Sequence, residues 1–260
     1  MNGQHFTDLY HDLCGMGQLI TIKDSECIEY IDYTMVIDDP RDCLTSFTNR
    51  NLNLQYCKKE WLWYLTGDRY DTSIMEHASM WKKIQLPDGG FNSNYGQYIF
   101  DQGQFDWVVH SLVKDPNSRQ ACMQLLNSSH MYDGNPDVVC TMGIQFLIRN
   151  KQLSMYVQMR SNDAIFGMTN DVFCFSQLQQ MVYWALRAKG LDIELGQYVH
   201  RVGSLHVYER HFGMLLKLAS ACGSDHYDIA IPEPTSIEDF RHLVGNGPGN
   251  GSAYADWMLS

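Results

Sequence analysis

Apolar and polar residues alternate through Ile144, Phe146 and Ile148, break at Asn150-Lys151, and alternate again through Leu153, Met155, Val157 and Met159. A period of two is that of a pleated strand whose alternate side chains share a face. The stretch "MGIQFLIRNKQLSMYVQM" therefore predicts a hairpin of two long strands. Directly after it the pattern fails. "MRSNDAIFGMTND", residues 159–171, places an arginine, a serine, two asparagines and two aspartates between the hairpin and an apolar helix, where core is expected.

The remaining pattern is a mixture of periods. Residues 1–13 read as a helix, and 19–37 as strands broken by a polar turn. "NLNLQYCKKEWLWYLTG" reads as an aromatic-rich helix with Gly67 placed to cap its end. "PDGGFNSNYG" is turn chemistry, and Gln104 to Lys114 form an amphipathic helix stopped at Asp115-Pro116. From residue 172 onward Phe173, Leu178, Met181, Val182 and Ala185 trace a helix ending at Lys189-Gly190. "YVHRVGSLHVYERH" is strand-like, and "GNGPGNGS" (245–252) reads as a flexible segment before "AYADWMLS". Strands and helices intermix without regular alternation, which predicts one α+β domain over 1–260, with 245–260 as a flexible tail.

Composition narrows the function classes. The chain has 260 residues, 45% of them hydrophobic and 19% charged, enough apolar mass for a sizeable core. The start carries no basic-apolar-small leader pattern, and no uncharged apolar run reaches membrane-spanning length. The expectation is a soluble, cytoplasmic protein. A formal charge of −11 argues against binding to a nucleic-acid backbone, while leaving room for a single nucleotide held by a few local cations. The eight cysteines are scattered, with no C-x-x-C pair and no histidine pair at zinc spacing, so no metal is expected. Free thiols in a reducing compartment fit best, and a cysteine with a task is then a nucleophile.

Taken one at a time, the candidate residues have ordinary structural readings. Cys140 is a thiol before a strand, most often simply buried. Asp171 precedes a predicted helix, a favoured cap position. Glu60 is a helix glutamate, Asp163 a turn residue and Trp81 a core tryptophan. Together they read differently. "DVVCTMGIQF", "QMRSNDAIFGMTND" and "VGSLHVYERH" resemble the cysteine, phosphate/base and sugar motifs of the thymidylate synthase superfamily. "KKEWLWYLTGD", "MWKKI…NSNYG" and "DPNSR" match further family segments in the right order, over about residues 54–215. Within the superfamily the chain looks most like the bacteriophage deoxycytidylate hydroxymethylases.

The resemblance implies a large mixed sheet with surrounding helices, packed sheet-to-sheet as a homodimer. It implies a reaction between a pyrimidine nucleotide and 5,10-methylenetetrahydrofolate. Cys140 would add to C6 of the pyrimidine and so turn C5 into a carbon nucleophile. Arg160 and Ser161 would grip the 5′-phosphate, Arg160 also serving as the cation beside the thiolate. Arg119 would reach the same phosphate from the partner subunit, although the family's usual second arginine is Gln120 here. Glu60 and Tyr95 would organise water and proton transfer. Asn170 and Gln145 are expected at the substrate, and His206 and Tyr208 at the sugar 3′-hydroxyl. Asp163, Trp81 and Gly167 are expected on the folate side.

Three positions depart from the synthase pattern. Thr141 follows the cysteine where the synthases usually have histidine, as in the hydroxymethylases. Ile84 stands where a second tryptophan is general. Asp171, eleven residues after Arg160, replaces a base-reading asparagine. A carboxylate only accepts hydrogen bonds, so it suits the cytosine 4-amino group and a protonated N3. Opposite a uracil O4 it would set acceptor against acceptor. The expectation is transfer of a one-carbon unit to C5 of dCMP with addition of water. A dCMP methylase, a thymidylate synthase with relaxed base reading, a CMP hydroxymethylase and a catalytically dead nucleotide-binding relative remain as alternatives.

Overall fold

In the computed structural model, residues 3–22, 24–48, 50, 52–221, 225–245 and 252–260 are described. The first part of the chain gives helix α1 (Gly3–Met16), strands β1 (Gln18–Ile22), β2 (Ser25–Ile37) and β3 (Thr45–Phe47), then helix α2 (Leu54–Thr66). Helices α3 (Trp81–Ile84) and α4 (Gln104–Lys114) follow, then strands β4 (Cys122–Gln124), β5 (Thr141–Arg149) and β6 (Gln152–Asp163). Helix α5 (Gly167–Ala188) leads to strand β7 (Glu194–Tyr208). The last elements are α6 (Phe212–Ala219), β8 (His226–Asp228), α7 (Ile237–Val244) and α8 (Ala253–Leu259).

Six strands form one mixed sheet in the order β1-β2-β7-β6-β5-β4. This is the α+β architecture the sequence predicts. The hairpin is present with Phe146 opposite Met155 and Ile148 opposite Leu153. Its turn residues, Asn150 and Lys151, have φ of 50° and 64°. Both are left-handed, as the twist of a two-residue hairpin turn requires. Phe146, Leu153, Met155 and Val157 are at most 2% exposed, each worth ~1.5–3 kcal/mol of burial. Among the described residues no helix is long and apolar enough to cross a membrane.

One strand pair decides where chemistry can gather. β6 and β7 are parallel, joined by α5 as a crossover, whereas every other pair in the sheet is antiparallel. The C-terminal ends of two parallel strands lie at the same edge of a sheet. Thus Arg160 to Asp163 on β6 and His206 and Tyr208 on β7 finish together, with Asp163 registered to His206. β5 runs the other way, so its first residue, Thr141, pairs with Met159 and brings Cys140 to that same edge. The polar stretch that interrupts the core pattern is therefore a strand end at this shared edge of the sheet.

Two expectations need correction. Helix α5 starts at Gly167, not at 172, and its N-cap is Phe166. Asp171 therefore lies beyond the first turn and caps nothing. The helix is buried almost all round, between the sheet and α2, α4 and α7, so no clean amphipathic edge marks its start. At the C-terminus, residues 253–259 form a helix rather than a flexible tail. Tyr254, Ala255 and Met258 have no exposure, and Tyr254 Oη donates to Gln177 Oε1 at 2.9 Å. Lys58 closes the contact, its ammonium 4.1 Å from the centre of the Trp257 ring. Residues 246–251 of the Gly-rich segment, and Lys23, considered as a phosphate neighbour, lie outside the described residues.

Candidate active site

Cys140 sits at the sheet edge with partial exposure. Arg160 Nη2 donates to its sulfur at 3.5 Å, and the Ser161 hydroxyl lies 3.8 Å away. Burial pushes the thiol pKa up, while Arg160 and the Ser161 hydrogen bond pull it down. Arg160 is itself held, Nε donating to the Val139 carbonyl at 3.0 Å and Nη2 to that of Val138 at 2.5 Å. Cation and thiol are thus tied to one loop. The guanidinium remains exposed enough to meet an anion.

That loop is anchored by a residue the sequence reading did not single out. Asp137, 3% exposed, accepts the backbone N–H of Ser93 at 2.8 Å and also the Ser93 hydroxyl. Asn92 Nδ2 donates to the Asp137 carbonyl at 2.9 Å. The cysteine loop and the turn carrying Tyr95 therefore move as one piece. Asn94, fully buried, donates to the carbonyls of Trp63 and Asp68 and accepts from Gly96 N–H, fixing the same turn to the end of α2. Gly96 is required there, since a Cβ would stand 1.6 Å from the Tyr64 carbonyl oxygen. Tyr95 Oη in turn accepts the Thr141 N–H at 3.4 Å, next to the cysteine.

Glu60 projects from α2 toward the same place. It is 6% exposed and accepts from Tyr56 Oη at 3.2 Å. Trp81 Nε1 donates to that Tyr56 oxygen at 2.9 Å, so Trp81 reaches the site through Tyr56 and Glu60. The Trp81 ring packs among Trp63 and Phe91, with centroids at 4.9 and 5.9 Å. Burial, with a further contribution from the charge of Asp171, pushes the Glu60 carboxyl up to about 8. Its second oxygen, Oε2, has no partner within hydrogen-bond distance among the described residues.

Asp171 points from α5 into this group with partial exposure. Burial pushes its carboxyl up to about 7, and the polar Asn162 side chain restrains the rise. Its charge is felt by Glu60, Tyr64, Tyr95, Cys140 and Cys174. Asn170 Oδ1, next to Asp171 on α5, accepts at 3.1 Å from the thiol of Cys57, which lies one turn before Glu60 on α2.

The remaining candidates separate into two groups. His206 and Tyr208 are adjacent, ring centroids 4.9 Å apart, with the His206 Nδ1 3.3 Å from the Ser204 carbonyl. Asp163 Oδ1 accepts from the N–H groups of Ile165 and Phe166, both at 2.9 Å, so the turn reading of this aspartate holds. No hydrogen bond to its Oδ2 is made among the described residues, and the neighbouring Phe166 is 43% exposed. Gly167 opens α5 where a Cβ would stand 2.7 Å from Asn162 Oδ1. Arg119 and Gln145 are elsewhere. Gln145 Nε2 donates to the Arg119 carbonyl at 2.9 Å, and Gln145 is registered with Tyr156 on the sheet face opposite the helices. Arg119 is exposed.

Known proteins resemble the chain in sequence and in fold. A family model described as thymidylate synthase matches residues 4–243. The deoxycytidylate 5-hydroxymethyltransferase of Enterobacteria phage T4 is 33% identical over 195 residues, 71% of this chain and 77% of that protein. A thymidylate synthase of Bacillus licheniformis is 29% identical over 164 residues, 60% and 57% of the two chains. In structure, the thermostable thymidylate synthase A from Bacillus subtilis superposes with a TM-score of 0.67 at 20% identity, covering 88% of this chain and 94% of that one.

Proposed function

Because the chain belongs to the thymidylate synthase family, a family of one-carbon transferases, we propose that its substrate is dCMP and its product 5-hydroxymethyl-dCMP. One observation carries this reading. By the sequence resemblance Asp171 corresponds to the asparagine with which the synthases read uracil, and it lies inside α5 rather than capping it. With its pKa near 7 it can share one proton with cytosine N3 while accepting from the 4-amino group. Against the ionised carboxylate, a uracil offers N3–H and an O4 acceptor, which sets one oxygen of the pair acceptor against acceptor. The likeness to the phage hydroxymethyltransferase supports the same substrate.

The residues divide the work as follows. Arg160 and Ser161 stabilise the Cys140 thiolate and, with their exposed side, the nucleotide phosphate. The sulfur bonds to C6, and the C5–C6 electron pair becomes available at C5. Asp171 holds the proton at N3 that makes C6 electrophilic. 5,10-Methylenetetrahydrofolate supplies the one-carbon unit when bound. The open Asp163 Oδ2 and the exposed Phe166 ring are suited to its flat, polar-edged ring. Tyr95, hydrogen-bonded beside Cys140, serves the water network that takes the C5 proton. Glu60, with one oxygen on Tyr56 and the other unpartnered, positions the water that adds to the exocyclic carbon before the sulfur leaves. His206 and Tyr208 face the sugar.

A homodimer completes the proposal, with Arg119 of a second copy at the phosphate. Its support is the open sheet face, where Gln145, Tyr156, Val199 and Val36 are register partners across four strands. On β1 and β2, Leu19 and Ile31 are 61% and 64% exposed. The test is competition between dCMP and dUMP in the presence of the folate, followed by absorbance for dihydrofolate. Consumption of dCMP without dihydrofolate is expected. Consumption of dUMP alone, or dihydrofolate formed in step with dCMP loss, would reject the reading.

A further inference from the structure

Residues 127–136, between β4 and the cysteine loop, contain a single buried side chain, that of His130. Met131 and Tyr132 beside it are 67% and 52% exposed, so apolar packing does little to hold this segment. Polar contacts hold it instead. His130 is 2% exposed, and its Nε2 lies 2.8 Å from the hydroxyl oxygen of Tyr98, itself 3% exposed. The two rings meet edge to face, with centroids 5.5 Å apart. His130 Nδ1 accepts the backbone N–H of Asn127 at 3.4 Å, closing the short turn Ser128–His130. A histidine buried against a tyrosine could be ordinary filling. Its place argues otherwise, because each partner leads by hydrogen bonds to a group assigned to the chemistry.

On one side the path runs to Cys140. The His130 carbonyl accepts from Asn135 Nδ2 at 2.8 Å, and Asn135 Oδ1 accepts from the Asp137 N–H at 2.9 Å. Val138 and Val139, whose carbonyls hold Arg160, follow directly and lead to the cysteine. On the other side the path runs to Tyr95. The N–H groups of Tyr98 and Ile99 donate to the Tyr95 carbonyl, both at 3.1 Å. Gln97 Nε2 donates to the carbonyls of Phe91, Asn92 and Asn94, bracing this turn from inside. A displacement of Tyr98 is thus carried to Tyr95.

We propose that His130 and Tyr98 are positioning residues that fix the Cys140 sulfur relative to the Tyr95 hydroxyl during turnover. The inference rests on the reading of Cys140 as the nucleophile and Tyr95 as the group serving the C5 proton. Asp137 joins the same two segments at Ser93 and Asn92. Alone, it is one point about which the segments can turn. The His130–Tyr98 contact is a second point, and two points remove that freedom. The hydrogen-bond directions agree with a neutral ring. Because Nδ1 accepts from Asn127, the imidazole proton sits on Nε2, directed at the Tyr98 oxygen. Burial pushes the His130 pKa down, outweighing the charge of Asp137, and Arg69 acts in the same direction as burial. The contact is therefore intact at neutral pH. Misplacing reacting groups by about 1 Å costs about 100-fold in rate, so a pin outside the pocket can govern turnover.

The experiment compares two rates in full-length wild type, Tyr98→Phe, His130→Asn and the double variant. One is turnover with the folate of dCMP or dUMP, whichever wild type uses faster, which needs both Cys140 and Tyr95. The other is alkylation of Cys140 by iodoacetamide, read on its own peptide, which needs the thiolate but not Tyr95. Each single variant should lower kcat by about 10- to 100-fold while alkylation stays within about twofold, because Arg160 remains with the thiol. The double variant should lose no more than the worse single one, since the same contact is removed in each. Should His130→Asn fail to fold, Tyr98→Phe carries the test, because it keeps the ring and its packing. Unchanged kcat in Tyr98→Phe would overturn the proposal. So would an equal loss of both rates, the mark of a contact that only maintains the fold. Wild-type turnover that survives Cys140→Ser would instead overturn the reading of the nucleophile.

Discussion

Arg160 Nη2 stands 3.5 Å from Cys140 Sγ while the carbonyls of Val138 and Val139 hold the same guanidinium. The cation is therefore in place beside the thiol before any ligand arrives. A lysine could not make these contacts together, because only the planar fork spans two carbonyls and the sulfur. Arg160→Lys should lower the rate of Cys140 alkylation at neutral pH by about tenfold through loss of thiolate. Equal alkylation rates in the two proteins, measured by mass spectrometry of the modified peptide, would remove Arg160 from thiol activation.

Asp171→Asn restores the donor-acceptor pattern that suits uracil. The ratio of kcat/KM for dCMP over dUMP should fall on the order of 100-fold. A variant that keeps its cytosine preference would mean that other groups read the base.

Glu60 and Asp171 make folding pH-dependent in a defined direction. Their folded pKa values, about 8 and about 7, lie above the ordinary carboxyl values of 4.5 and 3.8. The folded chain therefore binds more protons than the unfolded one between these limits, and stability is lost as pH rises through about 4 to 8. Thermal unfolding should show a lower Tm at pH 9 than at pH 6, and Glu60→Gln should flatten that slope. In turnover the same variant should lose about 100- to 1000-fold in kcat if Glu60 handles the water. A full slope in Glu60→Gln would show that its carboxyl is not the buried proton acceptor.

Gly96→Ala tests how tightly the Tyr95 turn is bound to α2. The new methyl would meet the Tyr64 carbonyl, and the chain must move to admit it. A loss of about 3 kcal/mol in denaturant unfolding is expected, with activity reduced in the folded fraction. A variant as stable as wild type would mean that the turn is free to shift.

Much of the fold was legible because the relevant signals are local. The hairpin follows from period-two alternation and a two-residue turn, and Gly67 caps α2 with φ 65° as its position suggests. α5 was harder. Its residues are apolar on nearly every side, so its start five residues earlier, at Gly167, left no edge in the pattern. The site shows the same division. Cys140, Arg160, Ser161 and Asp171 stand in short motifs, and one parallel strand pair brings those motifs together. Asp137 matters through contacts between distant segments, tying the cysteine loop to Asn92 and Ser93. Arg119 and Gln145 lie on the opposite face of the sheet, where a second copy would have to bring them to a site.

The most direct measurement is the mass of the nucleotide formed from dCMP and 5,10-methylenetetrahydrofolate in water enriched in heavy oxygen. A hydroxymethylated product carrying the solvent isotope, absent in Cys140→Ser, is predicted. A methylated product without the isotope, or product formed equally well without the Cys140 sulfur, would contradict the account.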